Sequence, residues 1–169
     1  MKIPPAPIKS PVRLTGESLF FEVSQPWVAW FNGIVEQINE GGVAEVSFHA
    51  QLAAEAIDKS FFVANRIWEV IGARFVHSTA ETTAATLYVQ VVKDTGTAVP
   101  GAGTNLLTNN TNNGFDCKAA ANTVQVGTLT ATRASLIMAA GDRLSVDFSA
   151  AATELAGVTI TVLLRQYTP

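Results

Sequence analysis

The sequence predicts an all-β fold, an antiparallel β-sandwich preceded by an extended arm and one short amphipathic helix. Beyond residue 43, short segments rich in β-branched and aromatic residues follow one another, and Gly, Asn and Asp residues separate them at the spacing of turns. Strands do not alternate with helices in the way that a parallel sheet requires. This pattern is typical of a sandwich of the jelly-roll kind.

The length indicates one main domain with a small N-terminal appendage. A chain of 169 residues is large enough to bury its own hydrophobic core. We place the arm and helix at residues 1–42, as an assembly or docking segment, and the β-sandwich domain at residues 43–169.

The N-terminal arm is the proline-rich stretch of residues 1–12, which carries four prolines. Prolines at this density favour an extended chain and exclude the interior of a helix or sheet. Residues 13–24 follow as a short connector.

The helix is predicted from Pro26 onward, since proline suits the first helical position. Apolar residues then recur at helical spacing and form one stripe, and Asn39, Gly41 and Gly42 end the helix. Three alternative roles are open for this helix: it covers one side of the core, it packs around a symmetry axis, or it docks onto a larger partner. The stripe comprises Trp27, Trp30, Phe31, Ile34, Val35 and Ile38.

The sandwich begins with a strand from residue 43, after which residues 52–58 form a helical turn or continue the strand as far as Asp58. The mixed period of residues 61–71 is compatible with a helix, but the aromatic and β-branched residues of 61–76 favour one long or two broken strands, with a bulge at Gly72. Residues 84–93 predict a strand by composition alone.

A loop-rich region at residues 94–123 contains turn signals and one brief strand at Leu106-Leu107. In the last third of the chain, strand-like segments alternate with turn signals, and this pattern predicts four strands. They span residues 123–131, 134–139, 143–149 and 157–167, with a turn at residues 139–142. In the last of them, apolar residues from Val158 to Leu164 occupy every second position, which predicts one buried face.

Charge argues against some classes of partner and favours others. The net charge is −3 and the basic residues are scattered, which argues against nucleic-acid binding. Apolar runs are too short to span a bilayer. Only 15% of residues are charged, which indicates either that neighbouring subunits cover the faces of the protein or that its surface is built from Thr, Asn and Ser. Between Arg13 and Lys59 there is no basic residue, so this acidic segment is either a solvated face or faces a basic partner.

We predict no catalytic, metal or cofactor site. His49 and His77, with Glu45 or Glu81, lack the spacing of a metal site, and Cys117 lies in an Asn-rich loop without a predicted base. The glycine-rich TGTAVPGAGT stretch lacks the Lys-Ser/Thr ending of a phosphate-binding loop.

Several segments resemble a known family. They are the strand at residues 73–78, the TLYVQVVKDTGTAVPGAGTNLL stretch, the turn at residues 140–144 and the strand at residues 155–162. Over residues 60–167 the chain resembles the small jelly-roll-like structural proteins of tailed bacteriophages. Residues 13–20 and 26–31 share this resemblance.

The resemblance implies a non-enzymatic virion protein, assembled in the host cytoplasm and commonly trimeric. The leading expectation is a capsid decoration or cement protein that binds the major capsid protein or other virion proteins. The alternatives are a tail, neck or head-fibre component, or a carbohydrate-binding module with Trp68 or Tyr88 as its platform. The expected docking residues are Trp27, Trp30, Phe31, Ile34 and Ile38.

Overall fold

The computed structural model describes residues 13–14, 21–22, 42–82, 86–109 and 112–168. The chain divides into two compact units, Met1–Gly42 and Val43–Pro169. In the first unit, strands β1 (Arg13–Leu14) and β2 (Phe21–Glu22) pair antiparallel. The sequence predicts a connector here, and the strand pair is not expected from it. The predicted arm and helix otherwise lie outside the described residues.

The second unit consists of two five-stranded antiparallel sheets. The first sheet contains β3 (Val43–Ala50), β5 (Trp68–Val76), β9 (Gln125–Val126), β10 (Ile137–Met138) and β12 (Val158–Gln166). The second contains β4 (Lys59–Val63), β6 (Tyr88–Asp94), β7 (Thr104–Asn105), β8 (Phe115–Asp116) and β11 (Arg143–Phe148).

The strand order is that of a jelly roll. In the first sheet the order is β3, β12, β5, and then β9 and β10 side by side along one edge of β5. In the second it is β4, β11, β6, and then β7 and β8 along one edge of β6. Counting each interrupted edge as one strand, successive strands lie in opposite sheets except at β6 and β7, which pair within the second sheet; this is the strand order of a jelly roll. The prediction of an all-β sandwich is confirmed.

The core lies between the sheets and follows from the alternation of side chains along each strand. On β12, Val158, Ile160, Val162 and Leu164 are buried, and the residues between them face outward. Aromatic rings join the sheets, because Phe48 of β3 lies 6.2 Å from Phe148 of β11 between ring centroids. The buried face predicted for this strand is therefore confirmed.

Residues 61–76 contain two strands, one of the two predicted alternatives. β4 ends at Val63 and β5 begins at Trp68, and the two lie in different sheets. The bulge predicted at Gly72 is also present. Leu163 pairs with Gly72 and Leu164 pairs with Val70, which leaves Ile71 as the extra residue. Of the two predicted alternatives for residues 52–58, the helical turn is present, as a short 3₁₀ turn at Ala53–Glu55.

The strand predicted at residues 134–139 is largely wrong. Arg133–Leu136 forms a single helical turn, α1, and only Ile137–Met138 pairs with β5. The Lys93 side chain explains the break, since its Nζ binds the carbonyls of Ala134 and Ile137 at 3.3 and 2.9 Å. These carbonyls are thus satisfied without a sheet partner.

The strand predicted at residues 123–131 is reduced to Gln125–Val126. Beyond Val126, the side-chain amide of Asn109 takes the place of a neighbouring strand. It accepts a hydrogen bond from Thr128 N at 2.7 Å and donates one to Val126 O at 3.1 Å. The strand predicted at Leu106-Leu107 falls two residues earlier, in β7. Leu107 instead forms an isolated bridge with Leu129, which joins the two sheets along this side.

The connections define two ends of the sandwich. One end carries the loops at residues 64–67, 95–103 and 139–142, together with the end of β12. The opposite end carries the loops at residues 51–58, 77–87 and 149–157.

Candidate functional site

The docking residues expected from the sequence are Trp27, Trp30, Phe31, Ile34 and Ile38. They lie outside the described residues, so their role stays a prediction. The sites considered below all belong to the sandwich.

The two histidines do not form a metal site. His49 is exposed on β3, with Nδ1 3.1 Å from Thr159 Oγ1, and Thr159 pairs with Val76 of β5. His77 follows Val76 and is buried, so it faces inward whereas His49 faces outward. Among the residues that the structure describes, no three His, Cys, Asp or Glu side chains are placed to hold a metal ion.

His77 is an unusual core residue. Its ring is 1% exposed and packs on Phe75, 5.3 Å between ring centroids. Neither ring nitrogen has a hydrogen-bond partner within the described part of the chain. Burial lowers the pKa of His77 below its ordinary 6.5, although the negative charge of Asp116 opposes this shift. The ring is therefore neutral at neutral pH.

Cys117 is fully buried between the sheets. Burial, assisted by the carboxylates of Asp116 and Glu81, raises the pKa of its thiol to about 12. Because the thiolate is the nucleophilic form, this thiol is unsuited to nucleophilic chemistry.

Glu81 organises the loop at the end of β11. Its buried carboxylate accepts hydrogen bonds from the backbone nitrogens of Thr153 and Glu154, at 2.8 and 3.0 Å, and from the Thr153 hydroxyl at 2.7 Å. A longer bond comes from Leu155 N. Several donors to one carboxylate fix the loop and stabilise the buried charge.

The glycine-rich loop at residues 95–103 binds a carboxylate of its own chain. Gly101 N and Gly103 N donate to the two oxygens of Asp94, at 3.1 and 2.9 Å. Asp94 also accepts from the Ser145 hydroxyl at 2.5 Å, and that hydroxyl lies 2.7 Å from the hydroxyl of Ser60. The amides that a phosphate loop would offer to a ligand are therefore taken by Asp94.

The two aromatic residues proposed as a glycan platform are far apart. Trp68 begins β5 at one end of the sandwich, and Tyr88 begins β6 at the opposite end. They do not form one platform.

A cluster of arginines and aromatic rings lies at the end that carries Trp68. Glu69, only 6% exposed, accepts from Arg133 Nε at 2.7 Å and from an Arg165 terminal nitrogen at 2.5 Å. These bonds lower the pKa of Glu69 to about 2, against the opposing effect of its burial. The guanidinium groups remain accessible, since the Arg133 and Arg165 side chains are 62% and 48% exposed.

Two of the arginines lie over aromatic rings. Arg133 is 5.2 Å from the ring centre of Tyr167, and Arg66 is 5.8 Å from that of Trp68. Stacked guanidinium groups of this kind bind carboxylates. We call Arg66, Arg133, Arg165, Trp68 and Tyr167 the arginine cluster. The sequence does not predict this cluster, because strand pairing and α1 bring together residues that are far apart in the chain.

In the described part of the chain, no helix is long and apolar enough to cross a membrane. Comparison with known proteins finds no match to this chain among family models, curated proteins or solved structures.

Proposed function

We propose that this chain is a non-enzymatic structural subunit of a tailed-bacteriophage virion, and that it decorates and cements the head shell. The observation that carries the proposal is the jelly-roll strand order of residues 43–166. Jelly rolls form the shell proteins of many viruses, and lectins and cupins share them. The resemblance over residues 60–167 favours the virion among these classes.

The way in which three buried carboxylates are hydrogen-bonded supports a structural role. Glu69, Glu81 and Asp94 are each bound by groups of the same chain that fix a loop or a strand end. Groups held in this way give a rigid body with a fixed outer surface. A cement subunit needs such a surface, since it bridges neighbouring capsomers.

The proposed mechanism is preferential binding to the assembled shell. Trp27, Trp30 and Phe31 insert as apolar anchors between capsid subunits or sister subunits, and the sandwich faces outward. A protein that binds the intact shell and not its dissociated subunits stabilises the shell by mass action. A trimer places three such anchors around one local symmetry axis.

Copy number in purified particles tests the location. A quantitative gel, with the major capsid protein as the internal standard, is expected to show one copy for each small group of capsid subunits. A few copies per particle would overturn the cement role and assign the chain to the tail, neck or a head fibre.

A double variant tests the anchors. Trp27→Ala with Trp30→Ala is expected to abolish binding to shells that lack this protein, as measured by co-sedimentation. The matched control is Trp68→Ala, which removes an indole from the sandwich. Both variants are first checked for folding by thermal unfolding. Full binding by the double variant, or equal loss in the control, would contradict the assignment of the anchors.

A further inference from the structure

Most charged residues of the sandwich lie near one of its two ends, whereas Glu45 and Arg74 lie further along β3 and β5. At the end of the arginine cluster, basic residues outnumber acidic ones, and two of the three acidic residues, Glu69 and Asp94, are 6% and 0% exposed. Among the described residues, the surface there mainly presents cations. We call this the arginine end; its basic residues are Arg66, Lys93, Arg133, Arg143 and Arg165, and its acidic residues are Glu69, Asp94 and Asp142.

The opposite end has the reverse balance. Lys59 and Lys118 are its basic residues, and Glu81 is its one buried acidic residue. The pKa of Asp147 is raised mainly by its burial, and further by the charge of Asp58 at this end and of Asp94 at the arginine end. We call this the acidic end; its exposed or half-buried acidic residues are Glu55, Asp58, Asp116, Asp147 and Glu154.

The acidic end also carries a cavity of about 240 Å³. Its walls are apolar except for the carboxylate of Asp58, one oxygen of which accepts from Phe148 N at 2.8 Å. An apolar cavity with one carboxylate suits a guanidinium group, whose flat faces are weakly hydrated and whose edge donates to carboxylates. The lining residues are Ala56, Ile57, Asp58, Phe148, Ala150 and Ala151.

Arg66 is the guanidinium best placed to fill such a cavity. It lies in the loop between β4 and β5, is exposed, and makes one long hydrogen bond to Gln166 Oε1 at 3.3 Å. Arg133 and Arg165, by contrast, are already engaged with Glu69. Most donors of Arg66 thus stay available for a partner.

We propose that the arginine end of one copy docks onto the acidic end of a second copy, with Arg66 entering the cavity beside Asp58. Both complementary surfaces belong to the same chain, which favours a second copy over an unrelated acidic protein. An extended polyanion such as nucleic acid would be repelled by the acidic end. A contact between two different surfaces is heterologous, and it builds a ring or a column of copies.

Salt dependence gives the first test. Sedimentation velocity of the full chain is expected to show end-to-end species at about 0.01 M ionic strength and their loss at about 1 M, because the Debye length falls from about 30 Å to about 3 Å. The oligomer that persists at high salt is the reference, and only the larger species that appear at low salt count as end-to-end association. A distribution unchanged by salt would overturn the proposal.

Charge variants give the second test. Arg66→Glu is expected to weaken the association at low salt by about fivefold or more, the effect of losing an exposed ion pair and gaining a repulsion. The control is Arg74→Glu, which makes the same charge change at an exposed position on β5, two residues before the strand ends and away from the arginine end, and should associate like wild type. Equal association of the two variants would overturn the proposal.

Mixing variants gives the third test. Asp58→Lys alone should fail to associate, and an equimolar mixture with Arg66→Glu should regain association, since each altered end meets a complementary one. A folded mixture that stays dissociated would contradict the pairing.

If thermal unfolding shows that Asp58→Lys is unfolded, Asp58→Asn replaces it. The amide oxygen keeps the bond from Phe148 N, and association should still weaken; unchanged association would overturn the proposal. This test is independent of the proposed virion role, which copy number in particles decides.

Discussion

The backbone nitrogen of Gly103 lies 2.9 Å from Oδ1 of Asp94, and this bond folds the loop of residues 95–103 back onto the strand that it leaves. The cross-strand neighbour of Asp94 is Arg143, which donates to the carbonyl of Ala98 in the same loop at 2.5 Å. An acid and a base side by side therefore bind the N–H and C=O groups of one loop. This arrangement explains how an uncharged loop is fixed on the outer face of the sheet.

Gly103→Ala is expected to destabilise the fold, because an alanine Cβ would overlap the carbonyl oxygen of Lys93. The backbone must shift away from Asp94, and we expect a loss of about 3 kcal/mol in the free energy of unfolding by urea. The control is Gly96→Ala, where φ is +57° and nothing lies within 4 Å of the new Cβ. That change should cost only about 1 kcal/mol of backbone strain. Equal losses would show that the close approach at Gly103 is unimportant.

Glu69→Gln is expected to lower stability at neutral pH by about 1 kcal/mol, since the two arginine bonds lose their charge and both arginines are partly exposed. The folded pKa of about 2 lies below the ordinary 4.5, so the ionised carboxylate stabilises the fold above about pH 4.5. This contribution is lost as the pH falls from about 4.5 to about 2. Urea unfolding at several pH values should show the difference between wild type and variant shrinking over that range. If the difference between wild type and Glu69→Gln stayed constant over that range, the assignment would be wrong.

The long strands could be predicted because their signal is local. The alternation along β12 indicates a strand buried on one face, and the β-branched run of β6 indicates a strand buried on both faces. Neither signal depends on residues elsewhere in the chain. The glycine within the β-rich run of residues 61–76 likewise predicts the bulge that is present beside Gly72.

The interrupted edges could not be predicted, because distant side chains decide them. Lys93 takes the carbonyls of residues 134 and 137, and Asn109 replaces the ladder beyond Val126. The arginine cluster is hidden for the same reason. Arg133 and Arg165 meet at Glu69 only through the register of β5 and β12 and the turn of α1.

His77→Leu is expected to leave the protein as stable as wild type at about pH 7, or more stable, because it removes two buried nitrogens without described partners. The folded pKa lies below the 6.5 of the unfolded chain, so the unfolded state takes up the proton first. Wild type therefore loses stability as the pH falls below about 6.5, and the variant should lose less. Melting temperatures from about pH 7 to about pH 5 measure this. A His77→Leu variant that is as acid-sensitive as wild type would contradict the assignment.

Cys117 should be inert in the native protein, because it is fully buried and its thiol has a pKa of about 12. A colourimetric thiol reagent at about pH 8 is expected to detect no thiol in the folded chain and one per chain in denaturant, since the thiolate fraction and access both rise on unfolding. Val99→Cys provides the control, because Val99 is 68% exposed in the loop of residues 95–103. In that variant one of two thiols should react at once and the other only after unfolding. Rapid reaction of both would show that the sandwich opens around Cys117 on the timescale of labelling.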